Sequence, residues 1–143
     1  MKIAFLGDIA FFGKYSLDNP EIYNYFKPLA DHLNTFDLVI GNLESPFRVD
    51  EKPYGSKSAY VYAKPENVAL LKFLNISAVT TANNHIYDFG QGALNRTLSL
   101  LDENNIAWFG YKDKQFLFEK ENNKLAFSGY CCYSTNPLGL NKG

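Results

Sequence analysis

No stretch of this chain approaches the ~20 consecutive apolar residues that a membrane-spanning helix needs, so the sequence offers no membrane segment. The N-terminal apolar run is also too short for a signal peptide and meets Gly7-Asp8 at once. A cytoplasmic location is the expectation. An excess of one charge is lacking too. Lys and Arg number 14 against 15 Asp and Glu, a formal net charge of -1, and a protein that neutralises a phosphate backbone needs a basic surplus. Nucleic acid is therefore not an expected partner. Cysteine is confined to the adjacent pair Cys131 and Cys132. Neighbours on a strand point to opposite faces and bridge only with strain, and the pair matches no zinc motif, so two reduced thiols are expected. Internal repeats and low-complexity tracts are absent. Glycine is sparse in the first turn, Gly7-Asp8-Ile9-Ala10-Phe11-Phe12-Gly13, which argues against a phosphate cradle and a nucleotide-binding doubly wound domain.

What is present suits a folded α/β protein. The 143 residues, 46% hydrophobic and 20% charged, allow one domain over residues 1–143 with a real core. Apolar strand-like runs at residues 2–6, 37–40, 76–81 and 106–109 alternate with helical patterns. The first helix, residues 20–34, spaces Tyr23, Phe26, Leu29, Ala30 and Leu33 along one face and is interrupted by Pro28. A second begins at Pro65, with Val68, Leu70, Leu71 and Leu74. A third spans residues 90–104, with Leu94, Leu98 and Leu101 stacked. Residues 46–64 read as a long loop, with a short extended piece at 59–63. Residues 115–119 and 125–131 flank Asn122-Asn123 as a hairpin. The predicted architecture is a mainly parallel, mixed sheet with helices on both faces.

Three polar clusters follow directly on apolar runs: Gly7-Asp8, Asn42-Leu43-Glu44, and Asn83-Asn84-His85 with Asp88. In a parallel sheet all three fall at the carboxyl ends of strands, where ligands bind. Each alone has a bland reading as a turn, a helix cap or a first-turn charge. Together they are carboxylate, amide and imidazole donors converging on one edge, a set suited to Mn²⁺, Mg²⁺, Fe²⁺ or Zn²⁺.

These residues, with Phe89-Gly90, Gly92 and the tail Leu125-Ala126-Phe127-Ser128-Gly129-Tyr130 leading into Ser134-Thr135-Asn136-Pro137, resemble the CapA family of poly-gamma-glutamate capsule biosynthesis. That family is a branch of the calcineurin-like metallophosphoesterases. The resemblance implies Asp8, Glu44, Asn84 and Asn42 as ligands of a divalent metal, with Asn42 alternatively beside the ligands. It implies His85 as the catalytic group addressing the leaving oxygen, and Asn83 and Asp88 as supporting residues. It also implies a layered metallophosphoesterase-like sandwich and a metal-dependent hydrolase of capsule or surface-polymer biosynthesis, acting on an anionic small molecule or polymer. Arg48 and Lys57 of the long loop are candidate contacts for that anionic group. Two departures stand out. The Asp-x-His of the classical phosphoesterases is Asp8-Ile9-Ala10 here, and the later histidines of the family have no counterpart before Gly143, His32 being the only other histidine. The chain is thus expected to be an N-terminal portion, holding at most one ion weakly and exposing surface for the missing half or a second copy. The competing reading is a non-catalytic α/β module serving a polymer-synthesis partner.

Overall fold

The computed structural model describes residues 1–132; Ser134 to Pro137, part of the resemblance, lie outside the described residues. The elements run β1 (Ile3–Ile9), α1 (Ile22–Leu33), β2 (Leu38–Leu43), α2 (Val68–Phe73), β3 (Ala78–Thr80), α3 (Gly90–Glu103), β4 (Ala107–Phe109), β5 (Phe116–Lys120) and β6 (Asn123–Phe127). Strands β1 to β4 form one parallel sheet in sequential order, and β5 and β6 form a separate antiparallel hairpin. The α/β class and its parallel sheet are as the sequence predicts.

One detail of the layering differs. Right-handed crossovers between strands in sequential order put every crossover helix on the same face. Accordingly Ile22, Ala30 and Leu33 of α1, Leu70 and Leu71 of α2 and Leu101 of α3 share one core with Ile9, Val39, Leu43 and Val79 of the sheet. The opposite face carries Leu38, Ile40, Ala78 and Phe109, and the hairpin covers it with Phe116, Phe118 and Phe127 instead of a helix. The hairpin turn is Glu121-Asn122, one residue earlier than its composition suggests, with Glu121 at φ 55. Apolar alternation outweighs turn propensity here: pairing Phe116 with Phe127 and Phe118 with Leu125 keeps four large side chains on the sheet-facing side.

The helices end as their sequences demand. Asn75 and Asn105, following α2 and α3, take left-handed φ values of 54 and 57, a conformation asparagine tolerates. Helix α1 runs through Pro28, and its buried face is Ile22, Ala30 and Leu33, while Tyr23 and Leu29 remain largely exposed. In α3, Thr97 takes a core position beside Leu94 and Leu101. Its hydroxyl donates to Ala93 O at 2.7 Å and accepts from Phe47 N at 2.8 Å, which pins the start of the long loop to the helix. Residues 46–64 are therefore an ordered strap. It is further held by the Phe47–Ala63 bridge and by Arg96 donating to Glu51 at 3.0 Å. Among the described residues, no helix is long and apolar enough to cross a membrane.

Candidate functional site

Asp8 reaches the site through a bulge. In a regular strand it would share a face with Ala4 and Leu6, which pack under the helices. Strand β1 instead carries one extra residue against β2, so Phe5 pairs with Ile40 and Asp8 with Asn42. The extra residue turns Asp8 to the face of Asn42 and returns Ile9 to the helix-side core. Gly41 makes room for this. A Cβ there would run into Ile9 Cδ1 and press on Leu6 Cβ at 3.3 Å.

Asn42 joins the carboxylates. Its Nδ2 donates to Asp8 Oδ1 and to Glu44 Oε2, each at 2.8 Å. The two acidic oxygens are thus no farther apart than twice that distance. Asn83, buried in the turn after β3, organises the other side. Its Nδ2 donates to Asn42 Oδ1 at 2.9 Å and to Leu43 O at 2.8 Å. Its Oδ1 accepts from His85 N at 2.9 Å and Ile86 N at 2.8 Å. Every donor and lone pair of this amide is used, which fixes the turn after β3 against the end of β2.

His85 follows from that turn. Its Nδ1 lies 2.7 Å from Asp88 Oδ2, and its Nε2 faces Glu44 Oε1 at 3.7 Å, beyond hydrogen-bond reach. An ionised carboxylate only accepts, so Nδ1 carries the proton in the neutral ring and Nε2 presents its lone pair. Asp88 is fully buried and does not cap α3. It also accepts from Val61 N at 2.8 Å and from Lys57 Nζ at 2.6 Å, and its carbonyl accepts from Tyr54 N at 2.7 Å. Lys57 donates to the Asn84 carbonyl as well. The side-chain amide of Asn84 makes no hydrogen bond among the described residues.

The two strap cations weighed for an anionic ligand are placed differently. Lys57 spends its ammonium on Asp88 and Asn84. Arg48 is wedged between the rings of Tyr62 and Phe89, 4.6 and 4.5 Å from their centroids. Its Nε is buried with no hydrogen-bond partner among the described residues. The strap's tie to Asp88 is invisible in the sequence, since Lys57 and Val61 lie 31 and 27 residues away from it. A groove of about 300 Å³ on the hairpin side of the sheet, lined by Phe5, Ile40, Phe109 and Phe127, reaches the site at Asn42.

Among the described residues, no three His, Cys, Asp or Glu side chains form a ready metal cage. The donor set is nonetheless the right kind for a hard or borderline divalent ion: two carboxylates held close together, an uncommitted amide on Asn84 and an imidazole nitrogen turned toward Glu44.

Comparison with known proteins agrees with the family resemblance. The family model described as "Bacterial capsule synthesis protein PGA_cap" matches residues 2–139. The PGA biosynthesis protein CapA of Bacillus subtilis (strain 168) is 29% identical over 118 residues, covering 77% of this chain and 30% of that protein. The capsule biosynthesis protein CapA of Bacillus anthracis is 29% identical over 105 residues, covering 68% of this chain and 26% of that protein. The chain spans less than a third of the length of either relative. With a family match across nearly all of its length, this chain belongs to the bacterial capsule synthesis protein PGA_cap family.

Proposed function

We propose that the chain works in capsule or poly-gamma-glutamate biosynthesis, or that of a related surface polymer, and contributes the carboxylate and amide side of a metal-dependent hydrolase site. The observation that carries this reading is the shared hydrogen bond of Asn42, whose single amide nitrogen holds Asp8 and Glu44 at 2.8 Å each. Two carboxylates so close repel unless something positive or proton-donating lies between them. In this reading Asp8, Glu44 and the Asn84 amide would hold a divalent ion such as Mn²⁺, and Asn42 orients both carboxylates from beside them. When bound, such an ion polarises a phosphoryl or carbonyl oxygen and lowers the pKa of a water.

The chain's own residues do the rest. Asp88 holds the His85 ring so that Nε2 faces the Glu44 side, where it can take a proton or, once protonated, give one to a leaving oxygen. Asn83 keeps the turn bearing Asn84 and His85 in register with β2. Arg48, a strap cation whose side chain makes no hydrogen bond among the described residues, takes the anionic group of the substrate.

Calorimetric titration of the metal-stripped chain with MnCl₂ tests the reading. One ion per chain is expected, with at least a tenfold loss of affinity in Asp8→Ala and in Glu44→Gln. Absence of Mn²⁺, Mg²⁺, Fe²⁺ and Zn²⁺ binding would sink it and leave the non-catalytic module.

A further inference from the structure

We infer that Lys57 is a positioning residue: through the Asp88 carboxylate it fixes the orientation and tautomer of His85. This deepens the reading above, because it supposes that His85 handles a proton.

The Asp88 carboxylate is fully buried. The oxygens of Asp88 have divided tasks. Oδ1 takes the Lys57 ammonium at 2.6 Å, and Oδ2 takes both His85 Nδ1 at 2.7 Å and Val61 N at 2.8 Å. Lys57 also grips the Asn84 carbonyl, so one ammonium spans the residue before His85 and the acid that holds its ring. Its side chain is 21% exposed, which leaves little room for another partner. Without the ammonium, Oδ1 would be a buried acceptor with no donor, and a carboxylate in that position turns about its terminal torsion to recover one. Rotation breaks the shared use of Oδ2 and releases the imidazole. Lys57 comes from the middle of the strap, so the strap and the ring orientation form one unit. Tyr54 N bonded to Asp88 O closes the same unit on the backbone side.

The chain has two histidines, which makes the test direct. His32 is an exposed residue in the last turn of α1 and serves as an internal reference. The experiment records imidazole ¹⁵N shifts of the metal-free 143-residue chain at a pH where both rings are neutral. In the wild type, His85 is expected wholly in the Nδ1–H form, with His32 in the ordinary mixture. In Lys57→Met the His85 shifts should move to those of His32, and Lys57→Arg should restore them. Unchanged His85 shifts in a folded Lys57→Met would overturn the inference, because Asp88 would then suffice alone. Should Lys57→Met fail to fold, the wild-type Lys57 ammonium ¹⁵N signal decides. A proton-exchange-protected ammonium coupled to Asp88 supports the role, and a freely exchanging one refutes it. None of these readouts uses metal or turnover, so a failed Mn²⁺ titration and a failed tautomer test remain separate results.

Discussion

At the scale of single residues, Asn83 is the side chain on which the site's geometry converges. It is buried, and its four hydrogen bonds join the end of β2 to the turn that carries His85. Asn83→Asp keeps the shape but replaces both donors with acceptors, facing Leu43 O and Asn42 Oδ1. Leaving such groups unsatisfied costs about 1–3 kcal/mol each. The variant should therefore lose on the order of 3 kcal/mol, read as a fall in thermal midpoint of about 10 °C at neutral pH. The loss should shrink as pH falls, since a protonated carboxyl regains one donor; a midpoint equal to wild type would contradict this account. The sequence made the local part of the site legible. Asn83, Asn84, His85 and Asp88 lie within one turn, and their spacing alone suggests a common purpose. From sequence alone Lys57 is only a candidate contact for an anion, because nothing in a long loop without periodicity reveals which face closes on the protein. Its partners become visible only when residues 31 and 27 positions apart are brought together.

At the scale of elements, the bulge in β1 decides where Asp8 points. The parallel sheet was legible because buried strands are short apolar runs between helical periods, but a bulge adds a residue without changing that pattern. Gly41→Ala tests its importance. The added methyl meets Ile9 and Leu6 across the bulge, and overpacking of this kind costs about 1–3 kcal/mol. Because Ile9 neighbours Asp8, Mn²⁺ affinity in the titration above should fall along with stability, whereas the control Gly92→Ala, facing only Glu51 at 3.6 Å, should leave affinity intact. The hairpin makes a second prediction at this scale. Lys120 of β5 bonds Asp37 at 2.5 Å, just before β2. The Lys120 hydrogen bond, with a second from Lys2 N, holds the Asp37 carboxyl below its ordinary 3.8. The same hydrogen bond raises Lys120 above 10.5. A depressed acid contributes stability above its unfolded value and loses it as pH falls through the folded one. A raised lysine contributes below its unfolded value and loses it as pH rises through the folded one. Hairpin docking should accordingly be firm across the neutral range and weaken at both extremes. Amide protection factors of residues 116–127, taken relative to intrinsic exchange at each pH, should fall below about pH 3.8, and Lys120→Met should flatten that acid dependence.

For the molecule as a whole, the question is whether the cluster at the sheet edge is built for a cation or is a hydrogen-bonded joint between strands. Both uses need Asn42 as it stands, so removing it discriminates poorly. Asn42→Asp discriminates well. It keeps the acceptor for Asn83 Nδ2 while turning the one nitrogen between Asp8 and Glu44 into a third carboxylate oxygen. With metal chelated, three acidic groups repel and the variant should melt about 5 °C below the wild type, whichever use is correct. Divalent ion separates the two. Binding only to the folded chain stabilises by about 2.7 kcal/mol at a hundredfold excess over the dissociation constant, on the order of 8 °C for a chain of this size. A cation site should show that rise in the wild type under MnCl₂, and in Asn42→Asp a larger one, because the ion relieves the added repulsion as well as binding. A joint between strands should show neither: Mn²⁺ would leave both midpoints where chelator left them, and the deficit of the variant would persist at every metal concentration. Melting curves of the two proteins with and without Mn²⁺ therefore decide the matter without knowledge of the substrate.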